Sequence, residues 1–234
     1  MNRKSALLAI GVFCLLLPAA SLSAQAVEIK RVAEATLAFQ DIMAIPDKTV
    51  PEYLLRDAAG IAIIPGVVKV GFIVGGEYGR GLLMIKDAEG SWSNPIFITL
   101  SGGSIGWQLG AQSADFVLVF KTKRSVDSAL TDELTLGVDV AAAAGPLGRR
   151  ARASTDMQLK AEIYSYSRSR GFFAGLSLDG ALIQIDDEAN AAFYDEEYIS
   201  PRDIQIRKDF RLPAEAVELK RTISDNTQPP SRSR

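Results

Sequence analysis

The sequence predicts a mainly β protein with a small antiparallel β-barrel core and helices packed on its surface, an α+β arrangement. Three observations lead to this prediction. Residues 160–186 have the pattern of a meander of three short strands, with tight turns at Arg170–Gly171 and Asp179–Gly180. Five short apolar segments also follow one another between residues 61 and 120. Finally, twelve of the 19 glycines lie between positions 60 and 110, a density typical of a sheet that curls into a barrel.

The chain begins with a pattern typical of a secretory signal peptide. Asn2–Lys4 form a short basic region, and Ala6–Leu17 form an apolar region too short to cross a bilayer comfortably. Ala24–Ala26 supply the small residues of a cleavage site. We therefore expect residues 1–26 to be removed after Ala26, and the protein to be periplasmic or secreted.

Residues 27–44 predict an amphipathic helix, because their apolar residues recur at helical spacing on one face. We expect this face to pack on the core. A helix lying on a membrane surface would show the same spacing, but such helices usually carry a more basic polar face. A second, short helix is predicted from Pro51 to Ala59.

The strand predictions follow in order along the chain, each segment being bounded by Gly, Pro, Asn or Ser. The five segments are residues 61–64, 70–74, 81–87, 95–100 and 115–120. A short helix or turn at 123–133 precedes another strand at 134–144, and then comes the meander. Asp187–Tyr194 predicts a helical turn, and Pro201 begins another. One folded domain is predicted at residues 27–212, and residues 213–234 are predicted to be a partly disordered tail.

Composition excludes several classes of function. The sequence contains no histidine, and its only cysteine, Cys14, lies in the predicted signal peptide. Histidine-dependent nucleophile systems and zinc sites built on imidazole or thiolate are therefore excluded. Removing residues 1–26 leaves 24 basic residues (26 less Arg3 and Lys4) against 28 acidic ones, a net charge of −4. Because nucleic-acid-binding domains are usually basic, we predict no nucleic-acid partner. We also predict no enzyme activity, no cofactor and no metal site.

The loop at residues 145–155 concentrates positive charge. It contains two glycines, and Arg149, Arg150 and Arg152 lie within four positions of one another. Guanidinium groups bind phosphate through paired hydrogen bonds, and backbone N–H groups can add to such an anion site. The pattern fits either a phosphate-binding loop or a solvated basic connection.

Several blocks of the sequence resemble the SYLF lipid-binding domain family. They are GIAIIPGVVKVGFIVGGEYGRG, SWSNPIFITLSGGSIGWQLG, ADFVLVF, AAGPLGR, AEIYSYSRSRGFFAGLSLDGA and NAAFY, over residues 35–200. The resemblance implies a small β-barrel core with helices on its surface and binding of phosphoinositides or related lipids. It also implies membrane contact through an N-terminal amphipathic helix. Eukaryotic members regulate endocytic actin, but we do not expect an actin partner for an exported protein.

We therefore predict non-enzymatic binding of phosphoinositide-like or other anionic phospholipids, or of fatty acids, in the bacterial cell envelope. The membrane surface is a further expected partner. Arginines would neutralise phosphate, and an apolar surface with two phenylalanines would contact acyl chains. The predicted lipid-binding residues are Arg149, Arg150, Arg152, Arg168, Arg170, Phe172 and Phe173. The alternative is a structural or protein-interaction scaffold of the envelope without lipid specificity.

Overall fold

A computed structural model describes residues 24–45, 50–131, 133–146, 161–169, 178 and 180–227. Two helices come first and three come last along this part of the chain, and the strands lie between them with one short helix among them. In order they are α1 (residues 24–43), α2 (Glu52–Arg56), β1 (Gly60–Ile85), β2 (Ile96–Phe120), α3 (Lys123–Ala129), β3 (Glu133–Thr135), β4 (Ala142–Ala144), β5 (Ile163–Ser169), β6 (Leu182–Ile185), α4 (Asp187–Tyr194), α5 (Pro201–Ile206) and α6 (Ala214–Thr227).

The centre of the fold is one long antiparallel hairpin. β1 pairs with β2 from Gly60 opposite Phe120 to Leu83 opposite Ile96, with two register shifts on the way. Five short strands were predicted here, because glycine-rich stretches are typical of strand ends. That division was wrong: the two strands bend at these stretches and remain paired, as strands do at bulges.

The hairpin is folded over, so that the first half of β1 (residues 60–67) lies against its second half (residues 79–85). The backbone N–H of Lys86 donates to the carbonyl oxygen of Ala59 at 2.9 Å. A Cβ atom added to Gly81 would stand only 2.4 Å from the carbonyl oxygen of Ile63. Gly79 leaves as little room, since a Cβ there would meet a valine methyl at 2.7 Å. Glycine at these two positions is what lets the two backbones approach.

With the halves of β1 and β2 counted separately, the sheet is a curled half-barrel of eight strands, and helices pack around it. β5 pairs with the second half of β2 (residues 114–120), and β6 pairs with its first half (residues 96–101). β4 lies beyond β5 in a parallel pairing, and β3 lies beyond β6 in an antiparallel one. This architecture confirms the predicted curled antiparallel core with helices on its surface.

The structure corrects the predicted meander at residues 160–186. Its first and last strands exist as β5 and β6, and Gly180 lies in a turn with φ of 82°. In a meander both strands would flank one common strand, whereas here the halves of β1 and β2 lie between them. Alternation identifies a strand but does not reveal which strand pairs with it. The turn at Arg170–Gly171 and the middle strand lie outside the described residues.

The strand predicted at residues 134–144 is in fact two short strands, β3 and β4. A turn separates them, with Gly137 at φ of 81°. The backbone N–H of Thr135 donates to the Asp139 carboxylate at 2.7 Å and closes this turn. The turn signal is Gly-Val-Asp, which stands within an apolar run and was not included in the prediction.

Two hydrophobic clusters cover the two faces of the sheet. Successive residues of β1 alternate between them: Ile61 and Ile63 belong to the first cluster, and Ala62 and Ile64 to the second. The first cluster lies under α1, α2, α4 and α6, and the second lies under α3 and α5. Both helices predicted after residue 186 are confirmed as α4 and α5.

The folded part of the chain extends further than predicted. Residues 214–227, assigned to the tail, form α6, whose Leu219 and Ile223 are buried in the first cluster. The indole N–H of Trp92 donates to the hydroxyl of Thr227 at 3.1 Å and holds the end of this helix. The tail was predicted from the polar composition after Ser224, although the apolar residues before Ser224 recur at helical spacing.

Candidate functional site

Helix α1 buries the face that a membrane-surface helix would insert. Val32, Ala35, Phe39 and Ile42 are fully buried in the first cluster. The helix predicted at residues 27–44 is confirmed, and it packs on the core as expected. Burial of a large apolar side chain is worth roughly 1.5–3 kcal/mol. To insert into a bilayer, α1 would have to leave the core, and the fold would lose the free energy of this burial.

Four charged side chains, which we call the ionic cluster, fix the start of α1 to the sheet: Glu28, Arg31, Arg80 and Asp186. Arg31 Nη1 lies 2.8 Å from Glu28 Oε2 and 3.3 Å from Asp186 Oδ2. Arg80 of β1 donates to the same oxygen of Asp186 at 2.7 Å. Asp186 also accepts from the backbone N–H of Ala189 and so caps α4. Two carboxylates balance two guanidinium groups, which makes the burial of Glu28, Arg31 and Asp186 tolerable, and Arg80 stays partly exposed.

Burial and pairing oppose each other in the pKa values of the ionic cluster. Desolvation raises the pKa of Glu28 against the pull of the two arginines, and desolvation lowers the pKa of Arg31 against the pull of Glu28. Desolvation also acts to lower the pKa of Arg80, but the hydrogen bond and charge of Asp186 outweigh it and raise that pKa. Each guanidinium group forms an ion pair with a carboxylate, so the ionic cluster links α1, β1 and the start of α4.

Of the seven predicted lipid-binding residues, the described part of the chain contains Arg168 alone. Its guanidinium group pairs with the carboxylate of Asp41 near the end of α1. Arg168 therefore ties β5 to α1 in this structure. Outside the described residues lie Arg149, Arg150, Arg152, Arg170, Phe172 and Phe173, and their roles stay predictions.

Exposed apolar residues gather where the β1–β2 hairpin folds over. We call this region the bend, and it comprises residues 68–78 of β1 and 101–113 of β2. Val68, Val70 and Tyr78 are 48%, 53% and 53% exposed. The register places residues 73–74 of β1 opposite residues 105–106 of β2.

An ion pair holds the bend in shape. The ammonium group of Lys69 lies 2.5 Å from Glu77 Oε2, although eight positions of β1 separate the two residues. A straight strand would place them about 26 Å apart, so β1 turns sharply between them. Lys69 also lies 5.5 Å from the ring centroid of Phe116, within the range of a cation–π contact. Because Lys69 is paired with Glu77, apolar surface is the main exposed chemistry of the bend's described side chains.

Neither the ionic cluster nor the bend was predicted from the sequence. Asp186 carries one readable signal, since it directly precedes α4, as helix-capping carboxylates do. Its partner Arg31 lies 155 positions away, and no local pattern connects the two. Val68 and Tyr78 lie between the short strands that the sequence predicted, so no common surface was expected for them.

Among the described residues, no group of three or more His, Cys, Asp or Glu side chains could hold a metal ion. No helix in the described part of the chain is long and apolar enough to cross a membrane.

Comparison with known proteins gives consistent matches. The model of the Ysc84 family, described as "Las17-binding protein actin regulator", matches residues 101–226. The chain is 33% identical over 204 residues to the SH3 domain-containing YSC84-like protein 1 of Bos taurus. It is 36% identical over 157 residues to Protein YSC84 of Saccharomyces cerevisiae.

These matches cover different shares of the proteins compared. The bovine alignment spans 86% of this chain and 59% of the relative. The yeast alignment spans 66% of this chain and 33% of the relative. The chain therefore corresponds to about three-fifths of the animal protein and one-third of the yeast protein.

Proposed function

The chain belongs to the Ysc84 family, and on that basis we propose that it binds lipid without catalysing a reaction. The ligand would be an anionic phospholipid, such as a phosphoinositide, or a fatty acid. One observation carries the proposal: Val68, Val70 and Tyr78 are exposed together at the bend, whereas the large apolar side chains of β1 on either side of it are buried. Exposed apolar residues on one contiguous segment mark an interaction surface.

The energies indicate that the bend needs a second, charged contact. Full burial of a valine side chain is worth roughly 1.5–3 kcal/mol, so each half-exposed residue would contribute about 1 kcal/mol on entering the interface. Three such residues alone would bind a membrane weakly. Each basic residue near an anionic surface adds about 1 kcal/mol. In our proposal Arg149, Arg150 and Arg152 supply this attraction, and Phe172 and Phe173 enlarge the apolar surface.

We further propose that the protein acts in the bacterial cell envelope after cleavage behind Ala26. The basic, apolar and small-residue regions of residues 1–26 support this location. The cleavage position lies within α1, where Gln25 donates to the carbonyl oxygen of Phe193 at 3.0 Å. Because a docked helix is a poor protease substrate, cleavage would precede folding. Mass spectrometry of the exported protein should find Val27 at its N-terminus, and finding Met1 there would contradict the location.

A protein-interaction scaffold is the second candidate function, because the family is described as a Las17-binding actin regulator. An exported protein would not meet actin, so its partner would be another envelope protein. Sedimentation with actin filaments separates these ideas. The lipid proposal expects no co-sedimentation, and strong co-sedimentation would favour the scaffold and a cytosolic location.

Vesicle flotation tests the lipid proposal. The purified protein should float with phosphatidylcholine vesicles that contain phosphatidylglycerol or a phosphoinositide, and much less with phosphatidylcholine alone. The double variant Val68→Ser/Val70→Ser should bind about tenfold or more weakly, because two valines no longer enter the interface. Val217→Ser is the matched control, since Val217 is 55% exposed but lies on α6. If the double variant floated with anionic vesicles as well as the parent and the control do, the proposal would be contradicted.

A further inference from the structure

A cleft of about 690 Å³ lies at the end of the molecule opposite the bend. One wall is the connection between β1 and β2, at residues 87–94, and the other is formed by residues 205–225. The bend and the cleft are separate regions of β1, since the cleft begins at Ile85, where that strand ends. A ligand in the cleft is therefore independent of lipid contact at the bend.

Hydrogen bonds hold the two walls in fixed positions. The side-chain amide of Asn94 donates to the carbonyl oxygens of Ile204 and Arg207, at 3.3 and 2.8 Å. Within the wall formed by residues 87–94, the backbone N–H of Ser91 donates to the Asp87 carboxylate at 2.7 Å and closes the turn between β1 and β2. The cleft is thus shaped before any ligand arrives, which lowers the cost of binding.

The cleft presents two ammonium groups that have no carboxylate within ion-pair distance among the described residues. Lys220 is half-buried and donates to Asn94 Oδ1 at 3.0 Å. Lys208 lines the same wall, and the two positive charges repel each other. Burial first and Lys208 second lower the pKa of Lys220. An anion between the two ammonium groups would relieve both penalties.

The two guanidinium groups of the cleft are already engaged. Arg207 pairs with Glu196 at 2.8 Å and with Asp209 at 3.2 Å. Arg221 pairs with Glu218 at 2.9 Å. The lysines are thus the cations best placed to meet a ligand.

The cleft also carries carboxylates that take no part in the ion pairs of the described structure. Asp87, Glu89 and Asp225 line it, and none of them lies in an ion pair in the described structure. The negative charge of Asp87 acts on Lys220 from beyond ion-pair distance. It raises the pKa of that lysine, whereas burial lowers it. A ligand with only negative charge would meet three carboxylates near its binding position, whereas an ammonium group on the ligand would be attracted to them.

We propose that the cleft binds a zwitterionic phosphate–amine, with the phosphate between Lys208 and Lys220 and the ammonium group at the carboxylates. The chemical class is that of phosphoethanolamine. It can be supplied as a free small molecule or as the headgroup of a phospholipid. The side wall formed by Trp92, Phe210 and Leu212 would accommodate the first carbon atoms beyond the phosphate.

Calorimetric titration of the full-length protein with four probes tests this site. The probes are phosphoethanolamine, inorganic phosphate, ethanolamine and a short-chain phosphatidylethanolamine below its micelle concentration. We expect phosphoethanolamine to bind at least tenfold more tightly than phosphate or ethanolamine. Tighter binding of the short-chain lipid would identify the headgroup as the source, and equal binding would identify the free molecule. Binding of phosphate as tight as that of phosphoethanolamine, or no binding at millimolar concentration, would overturn the proposal.

Two variants assign the two charges of the ligand. Lys220→Gln should weaken phosphoethanolamine at least tenfold and abolish phosphate binding. Glu89→Gln/Asp225→Asn should weaken phosphoethanolamine but leave phosphate as tight or tighter, which a merely structural defect would not do. Lys123→Gln, an exposed lysine on α3, is the control and should bind as the parent does. Unchanged binding by Lys220→Gln would overturn the assignment, provided that its thermal midpoint matches that of the parent.

Discussion

The folded-over halves of β1 and the bend contain the same kinds of residue and use them differently. Where the halves meet, Gly81 brings β1 against its own backbone, and the neighbouring apolar side chains are buried. At the bend, a Cβ added to Gly103 would meet no atom within 4 Å, and Val70 is 53% exposed. Gly81 therefore removes a clash where the halves of β1 meet, whereas Gly103 in the β2 part of the bend occupies open space. The comparison associates stability with the approach of the two halves of β1, and the proposed lipid contact with the bend.

The largest expected effect is on the stable side of this comparison. Asp186→Ala would remove a carboxylate that both Arg31 and Arg80 contact, as well as the cap of α4. Breaking a buried ion pair costs about 3–5 kcal/mol, and we expect a loss of that size in the free energy of unfolding. Urea denaturation measures it.

Asp187→Ala is the matched control for that variant. Asp187 is the next residue, it is exposed, and it lies in the first turn of α4. Losing its charge near the helix N-terminus should cost less than about 1 kcal/mol. Similar losses for both variants would mean that the ionic cluster does not hold α1 to the sheet.

A pair of glycine variants compares the two regions directly. Gly81→Ala should lower the free energy of unfolding by about 1–3 kcal/mol, because the new methyl group would overlap the backbone of the first half of β1. Gly103→Ala should leave it unchanged or raise it by up to about 1 kcal/mol, since the methyl group has room and the unfolded chain loses freedom. If both variants were equally destabilised, the two regions would not differ as described.

The smallest effect on stability is expected from Arg168. Its partner Asp41 is exposed, and exposed ion pairs contribute about 0–1 kcal/mol. Arg168→Ala should therefore change the free energy of unfolding by less than about 1 kcal/mol and lower binding to anionic vesicles only slightly. Replacing Arg149, Arg150 and Arg152 together with Gln should lower that binding severely. The reverse order would move the phosphate contact to Arg168.

Local patterns made part of this fold predictable. Helical spacing of apolar residues identified α1, and the Asp187–Tyr194 segment identified α4. The high density of glycine indicated a curled sheet. These features depend on neighbouring residues, which a single sequence contains in full.

Contacts between distant segments could not be predicted in the same way. β5 pairs with one half of β2 and β6 with the other, although only a dozen positions separate these two strands. Lys69 meets Glu77 only because β1 turns between them. Both facts depend on how the long hairpin folds over, and alternation along one strand contains no information about that.

The central claim is that the protein meets lipid at the bend. Two equally exposed valines test it: Val70 in the bend and Val217 on α6, 53% and 55% exposed. In a chain carrying Cys14→Ser, Val70→Cys and Val217→Cys each give one site for an environment-sensitive fluorophore. On addition of anionic vesicles, we expect emission to shift to shorter wavelength at position 70 and to stay unchanged at position 217. A shift at position 217 alone, or equal shifts at both positions, would contradict the claim.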